Sequence, residues 1–246
     1  MTKDSVRAAT GTVSPAITRL SRLATLDPAA SAALAEAMSR PQLFRPRRDL
    51  MVEGRDIAGP QLILSGWAAR VRILLDGRRQ FLSFLLPGDV IGLYLHPRPI
   101  APTTVISLTE VSTCTPPSMG VSDVLDEAYA VAHALDEAYL LSQIARLGRM
   151  NAMERIGDLM LELHERLAMS DLTNGRSYEL PITQETLADA LGLTAVHVNR
   201  MLQAARRAGD LIWSSRSMTI PDPKQLAGKV GRVPVKVGGR PADDRP

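Results

Sequence analysis

Side chains able to read base pairs are grouped near residue 200 of this chain. Asn199, Arg200 and Gln203 carry the hydrogen-bonding edges that are needed to recognise bases in the major groove of DNA. Arg206 and Arg207 follow, and their positive charge suits contacts with phosphates. These residue types at this spacing favour binding of double-stranded DNA.

Two short helices joined by a tight turn would present these side chains. Thr183 is placed to cap the first helix, and Thr194 is placed to cap the second. Gly192 stands where the first helix must end with a positive φ, and the small Ala188 lets the second helix cross closely. This combination predicts a helix-turn-helix. The alternative is a helical hairpin with no role in DNA binding.

The predicted DNA contacts come from the two caps, the outer face of the second helix and a β-like wing at residues 213–220. His197 is expected either to touch a phosphate or to pack. The predicted contact residues are Thr183, Gln184, Thr194, Ala195, Val196, His197, Asn199, Arg200, Gln203, Arg206, Arg207 and Arg216.

The composition excludes several classes of protein. The chain has 246 residues, of which 45% are hydrophobic and 22% charged, as in ordinary soluble globular proteins. Its one cysteine, Cys114, cannot form a disulfide, a CxxC zinc site or a four-cysteine iron–sulfur site within one chain. Because no run of about 18 apolar residues and no signal-like N-terminus is present, we expect a cytoplasmic protein without membrane contact.

The charge is distributed unevenly along the chain. Formal charges are +5 for residues 1–121, −6 for residues 122–182 and +4 for residues 183–246, which gives the net +3. A basic C-terminal segment is consistent with a nucleic-acid partner, although an ordinary solvated surface would give the same pattern.

Short β-rich runs between residues 44 and 115 predict a sandwich or barrel. Asp76-Gly77 between two such runs is typical of a hairpin, and the sequence Pro87-Gly88-Asp89 predicts another turn. This region contains one histidine, His96, whereas a metal oxygenase of this architecture needs at least two histidines and a carboxylate. The sequence therefore predicts no metal site and no enzymatic activity.

A long helix is predicted after Pro116-Pro117. Apolar residues recur along it at the spacing of a heptad seam, which favours pairing with a second copy of the chain. Packing of that face on the helix's own domain is the alternative. The seam residues are Val131, Leu135, Ala138, Leu141 and Ala145.

These motifs together resemble the Crp/Fnr family of transcription regulators. The similar segments are residues 180–185 (LPITQE), 196–200 (VHVNR), 211–212 and 219–222 at the C-terminal end, and residues 64–67, 76–80 and 86–92 upstream. The resemblance covers about residues 20–228. It implies a homodimer that binds a near-palindromic DNA site and recruits or blocks RNA polymerase.

The sequence predicts an α+β chain with five parts. They are a flexible arm (1–20), a β jelly-roll sensor domain (21–120), a dimerisation helix (121–150), a winged helix-turn-helix domain (151–228) and a disordered tail (229–246). The resemblance implies the three middle parts, and the local composition alone predicts the arm and the tail.

The chain departs from the family where its members bind small molecules. Cyclic-nucleotide-binding relatives carry Glu after the Gly of the Gly-Asp-x-x-Gly turn and an Arg-Ser pair ten residues on. Here Gly92 is followed by Leu93, and the pair is replaced by Thr103 and Thr104. A buried phosphate without its arginine is costly, so we expect a degenerate effector pocket that binds no cyclic nucleotide.

Other family cofactors are also not expected. Cys114 alone cannot hold an iron–sulfur cluster, and His96 lies two residues beyond the position of the haem ligand, which is Tyr94. Val196 replaces the glutamate that many members place on the recognition helix, so the usual half-site is not assumed. The alternatives are a regulator that responds to haem or another small molecule, and a signalling module that kept the fold without binding DNA.

Overall fold

The computed structural model describes residues 14–94 and 96–238. Two helices precede an eight-stranded β region, two long helices follow it, and a smaller mixed region ends the chain. The elements of the first part are α1 (Pro15–Leu23), α2 (Pro28–Met38), β1 (Gln42–Phe44), β2 (Asp49–Met51), β3 (Gln61–Ser65), β4 (Ala68–Ile73), β5 (Arg79–Leu85), β6 (Val90–Ile91), β7 (Thr104–Ser107) and β8 (Val111–Cys114). The remaining elements are α3 (Asp123–Arg149), α4 (Ala152–Ala168), β9 (Thr173–Asn174), β10 (Ser177–Glu179), α5 (Gln184–Leu191), α6 (Ala195–Arg207), β11 (Ile212–Ser214), β12 (Ser217–Thr219) and α7 (Pro223–Val230).

The eight N-terminal strands form two four-stranded antiparallel sheets. Their orders are β1-β8-β3-β6 and β2-β7-β4-β5. The hairpin predicted at Asp76-Gly77 joins β4 to β5, where the Leu74 N–H donates to the Arg78 carbonyl and Gly77 has φ +84°. A core of aliphatic side chains, including Ile63, lies within this sheet domain. The predicted mixed fold with an N-terminal sheet domain, a long helix and a C-terminal helix-turn-helix is confirmed.

The N-terminal arm predicted for residues 1–20 is wrong from Pro15 onward. Pro15 begins α1, where its missing N–H costs nothing in the first turn of a helix. Ala16 and Leu20 are buried in a cluster with residues of β3 and α3, and Arg19 is buried as well. The Ser, Thr and Ala content suggested a loose segment because the burial partners are far away in sequence. Residues 1–13 lie outside the described part of the chain.

Helix α3 places one side against its own chain. Leu125, Ala128, Leu135 and Tyr139 are buried on this side. The prediction that Leu135 belongs to the seam between two chains is therefore wrong, because its side chain packs inside the monomer. The heptad spacing identified an apolar helix but could not decide which of its sides faces the sheet domain.

The C-terminal region contains a four-stranded sheet in the order β11-β12-β10-β9. The wing predicted at residues 213–220 contains β11 and β12. Residues 170–181 contain β9 and β10, which are joined at Asn174-Gly175. These strands are two and three residues long, too short to leave a sequence pattern.

The disordered tail predicted for residues 229–246 is wrong at its beginning. Helix α7 continues to Val230, which is buried with Leu226, and the Arg232 side chain is buried beyond it. Residues 233–238 have no regular structure, and residues 239–246 lie outside the described part.

One hydrophobic cluster joins the sheet domain to the C-terminal region. Trp67, Phe81 and Phe84 of the sheet domain share it with Ile156 of α4 and Leu187 of α5. The helix-turn-helix is therefore packed against the rest of the chain. Among the described residues, no helix combines the length and the hydrophobicity that a membrane crossing requires.

Candidate DNA-binding site

The helix-turn-helix is formed by α5 and α6 with the local signals expected from the sequence. The Thr183 hydroxyl accepts a hydrogen bond from the Thr186 N–H at 3.1 Å, and the Thr194 hydroxyl accepts one from the His197 N–H at 3.2 Å. Gly192 ends α5 in the left-handed conformation, with φ +63° and ψ +38°. A side chain at this position would strain the backbone, so glycine sets the turn between the helices.

The inner faces of the two helices are fully apolar. Leu187, Leu191 and Val198 have no exposed surface, and Ala188 is 3% exposed. Met201 is half-buried against this core. Burying each large aliphatic side chain here contributes about 1.5–3 kcal/mol to stability. This packing holds α6 in a fixed orientation relative to α5.

The outer face of α6 carries the predicted base-reading residues. Val196, Asn199, Arg200 and Gln203 are exposed and recur at the three- and four-residue spacing of one helix face. Val196 is 80% exposed. The face therefore offers amide, guanidinium and methyl groups together to a partner in a groove.

A cleft of about 440 Å³ runs beside this face. Its lining includes Thr183 at the cap of α5, Gln184 in the first turn of α5, and Trp213 and Ser215 of the wing. Arg206 also lines it. Within the described residues, Arg200, Arg206 and Arg207 take part in no salt bridge, so their charges are free for phosphates.

Three amide side chains are hydrogen-bonded to one another at the edge of this cleft. Asn199 Nδ2 donates to Gln184 Oε1 at 3.0 Å, and Gln203 Nε2 donates to Asn199 Oδ1 at 2.8 Å. We call Gln184, Asn199 and Gln203 the amide triad. It joins the first turn of α5 to the middle of α6.

Other predicted contact residues lie around this centre rather than in it. Ala195 and His197 are half-buried at the start of α6, and Arg207 is exposed near its end. Arg216 lies at the tip of the wing, where its guanidinium is 3.0 Å from the Glu179 carboxylate. Both partners are largely exposed, so this pair contributes little stability and leaves Arg216 able to exchange partners.

The C-terminal end of α5 is held against the sheet domain and α3. Gln80 of β5 and Gln143 of α3 both donate to the Ala190 carbonyl, at 3.0 and 2.7 Å. Arg79 also forms a salt bridge with Asp189 at 2.9 Å. The orientation of the helix-turn-helix is therefore determined by contacts from both neighbouring elements.

A buried ion network connects the sheet domain to α1, α3, α4 and the segment after α7. It begins at Asp89, in the turn predicted from Pro87-Gly88-Asp89. Arg166 of α4 lies 2.8 Å from one Asp89 oxygen, and Arg19 of α1 approaches the other at 2.7 Å without the alignment of a hydrogen bond. Burial opposes ionisation of Asp89, yet these two guanidinium groups hold its pKa below the usual aspartate value.

The network continues through α3 and α4 to the chain beyond α7. Arg146 lies 2.6 Å from Asp158 and 2.5 Å from Glu162. Arg232 lies 2.9 Å from Asp158 and 2.7 Å from Glu165. The eight members carry four positive and four negative charges, so the network is neutral. They are Arg19, Asp89, Arg146, Asp158, Glu162, Glu165, Arg166 and Arg232.

The predicted effector pocket is a small cavity that contains only half of its predicted residues. Gly92 and Leu93 line a space of about 50 Å³ between the sheet domain and α3. Thr103 and Thr104 do not line it, and Thr104 instead accepts a hydrogen bond from the Glu53 N–H at 3.1 Å. The assignment of the two threonines to this pocket is therefore wrong. They lie at the start of β7, which pairs with β2 and β4.

Sequence reasoning missed the charged pair in this cavity. Arg70 of β4 lies 2.7 Å from Asp136 of α3 and donates to the Ser83 hydroxyl at 3.1 Å. His133 also lines the cavity. The partner of Arg70, Asp136, lies 66 residues away. The only signal in the sequence is therefore that side chains of a strand alternate between its two faces, which could have placed Arg70 on the face of β4 that meets α3.

The other candidate sensing residues are not grouped with further ligands. Burial raises the pKa of the Cys114 thiol, which is 2% exposed among apolar residues of the N-terminal helices and β3. The His96 ring contacts the backbone of Arg98 on the surface. Within the described residues, no group of three or more His, Cys, Asp and Glu side chains is arranged to hold a metal ion.

Comparison with known proteins identifies the type of domain. Residues 154–228 match the Crp-like helix-turn-helix domain. The transcriptional activator protein FnrL of Cereibacter sphaeroides is 30% identical over 182 residues, which cover 69% of this chain and 71% of FnrL. The chain belongs to the Crp/Fnr family of transcription regulators.

Further Crp/Fnr proteins agree with this assignment. The nitrogen fixation regulation protein FixK of Rhizobium meliloti is 29% identical over 194 residues, covering 77% of this chain and 88% of FixK. The structure of FixK2 from Bradyrhizobium japonicum has the same fold, with a TM-score of 0.67 and 24% identity over 77% of this chain and 96% of that one. The helix-turn-helix described above is thus the DNA-binding element of a Crp/Fnr regulator.

Proposed function

We propose that this chain is a homodimeric transcription regulator that reads a near-palindromic DNA site in the major groove. The observation that carries the proposal is the outer face of α6, where Asn199, Arg200 and Gln203 are exposed. Arg206 and Arg207 follow on the same helix and form no salt bridge with any residue that the structure describes. An α-helix with such side chains fits the width of the major groove. Membership of the family supports the further proposal that the chain regulates transcription through RNA polymerase, in the cytoplasm and without enzymatic activity.

A second apolar face of α3 supports the homodimer. Leu141 is 58% exposed and Ile144 is 68% exposed, and the exposed Ala145 lies beside them. Val131 and Ala138 are half-buried on the preceding turns. Burying these side chains against a second copy of α3 would remove them from water. The proposed seam thus keeps four predicted residues, loses Leu135 and gains Ile144.

Two-fold symmetry of the protein would require two-fold symmetry of the DNA. Each copy would place its α6 in one half-site, with the half-sites about one helical turn apart. Gel shifts with genomic fragments test the proposal, since binding of selected fragments over random DNA is expected. A chain that binds no fragment better than random DNA would instead support the non-DNA signalling module.

We expect the protein to bind neither cyclic AMP nor cyclic GMP at micromolar concentration. The cavity at Gly92 encloses about 50 Å³, whereas ligand pockets typically enclose about 300–1,000 Å³. Among the described residues that line this cavity, Arg70 carries the only guanidinium, and the Asp136 carboxylate already neutralises it. A cyclic phosphate would have to break this partly buried pair before it could bind.

Isothermal titration calorimetry with each cyclic nucleotide tests this expectation. No heat of binding above the dilution heat is expected, and DNA affinity should be the same with and without nucleotide. A micromolar Kd that is lost in the Arg70→Ala variant would show that Arg70 leaves Asp136 to hold the phosphate. Such a result would make the chain a small-molecule-responsive regulator, which is the second candidate.

A further inference from the structure

The amide triad is placed to determine which base Asn199 recognises. An asparagine amide has two N–H donors and two acceptor lone pairs. In the triad, Asn199 uses one donor toward Gln184 and one lone pair toward Gln203. The count is the same if all three amides are turned over together, because Asn199 still gives one bond and receives one. One donor and one acceptor therefore remain for a ligand in the groove.

These two remaining groups match only one base in full. In the major groove adenine offers the N7 acceptor beside the N6 donor, guanine offers two acceptors, cytosine offers a donor, and thymine offers an acceptor and a methyl group. Guanine would need two donors from Asn199, but the second donor is already bound to Gln184. We propose that the amide triad commits Asn199 to adenine, with Gln184 as the residue that positions the Asn199 amide. The inference rests on the proposed DNA binding and deepens it.

The position of Gln184 explains why it can act on Asn199 from another helix. It is the first residue of α5, directly after the Thr183 cap, so its backbone is fixed by the start of that helix. Its side chain is half-buried in the cleft, and it reaches Asn199 across a separation of fifteen residues. Without this partner, Asn199 would keep only its hydrogen bond with Gln203, and both of its N–H groups could be offered to the DNA.

Selection of bound sequences from a random duplex library tests the proposal. We expect the wild-type protein to select adenine at one position of each half-site by about 5- to 150-fold over other bases, the range for a good bidentate contact. Asn199→Ala should lose this preference at that position alone. Gln184→Ala should reduce it at the same position, because the second Asn199 N–H is then free to donate to guanine.

Two further variants separate positioning from general effects. Gln184→Glu keeps an oxygen that accepts from Asn199, so the adenine preference should be retained while affinity for all sequences falls through charge repulsion. Gln225→Ala, on the exposed surface of α7, is the matched control and should change nothing. Circular dichroism melting of each variant should show the wild-type midpoint, because the triad lies at the surface.

The outcomes distinguish this inference from the proposed function. If the wild type selects a clear site but the base preference is unchanged in Asn199→Ala and Gln184→Ala, the amide triad does not specify adenine and DNA binding still stands. If Gln184→Ala lowers the affinity for all DNA sequences equally and the preference for adenine is retained, Gln184 is a general DNA contact and not a positioning residue. If the wild type selects no site at all, the proposed function itself fails.

Discussion

Replacing Asp89 by alanine is expected to lower the free energy of unfolding by about 3–5 kcal/mol, the usual cost of removing one partner from a buried ion pair. The substitution leaves Arg19 and Arg166 buried without their shared counter-ion. It also removes the acceptor of the Leu86 N–H, at 2.7 Å. Urea unfolding followed by the fluorescence of Trp67 and Trp213 measures the loss on both sides of the domain junction.

A matched control separates burial from charge in this prediction. Asp76 forms an ion pair with Arg78 at 2.7 Å on the exposed hairpin tip, so Asp76→Ala should leave the unfolding midpoint unchanged. An Asp89→Ala loss of less than about 1 kcal/mol would contradict the account, because it would mean that water reaches the network and solvates the two arginines.

The pH dependence of a second substitution at this position, Asp89→Asn, gives an independent check. The pKa of Asp89 is depressed in the folded protein, so its contribution is present above the pKa of an unfolded aspartate and is lost as the pH falls through the folded-state value. The stability difference between wild type and Asp89→Asn, measured by urea unfolding, should therefore shrink on acidification. A difference that stays constant down to the lowest pH at which the wild type folds would argue against an ionised Asp89.

Introducing a charge on the outer face of α3 is expected to abolish tight DNA binding. Leu141→Asp would place a carboxylate within the proposed seam, where burial without a partner is costly. A monomer contacts a single half-site, so affinity for the full site should fall by about 10³-fold or more, the loss expected when two linked contacts become one. Light scattering should show the mass falling from near twice 26.7 kDa to 26.7 kDa.

Leu43→Asp is the control for this substitution. Leu43 is 67% exposed on β1, away from α3, so the variant should remain dimeric and bind DNA as the wild type does. A wild-type protein that is monomeric at micromolar concentration would overturn the dimer. A Leu141→Asp variant that stays dimeric would show that the two copies meet through another face.

The helix-turn-helix could be predicted from the sequence because its signals are local. Each cap acts on an N–H three residues away, and the Gly192 turn requires only its own backbone conformation. The hairpin at Asp76-Gly77 is equally local. Such features depend on a few neighbouring residues and not on the rest of the fold.

The features that the sequence did not show depend on residues far apart along the chain. Arg166 and Asp89 are 77 residues apart, and Arg232 and Asp158 are 74 apart. Nothing near Arg232 marks it as buried, since the surrounding Gly, Pro and Val suggest a tail. Leu135 and Leu141 likewise belong to the same helix, but Leu135 is buried and Leu141 is exposed. This difference depends on how the sheet domain packs against α3.

The most direct test of the central claim compares Arg200→Ala and Arg207→Ala in equilibrium titrations with the selected site and with random duplex DNA. If α6 reads bases in the major groove, Arg200→Ala should lose about 5- to 150-fold in affinity for the site and almost none for random DNA. Arg207→Ala should lower the affinity for both duplexes. It should also reduce the salt dependence of that affinity by the amount that corresponds to about one phosphate contact. An Arg200→Ala variant that binds the selected site as tightly as the wild type would contradict the assignment of α6 as the recognition helix.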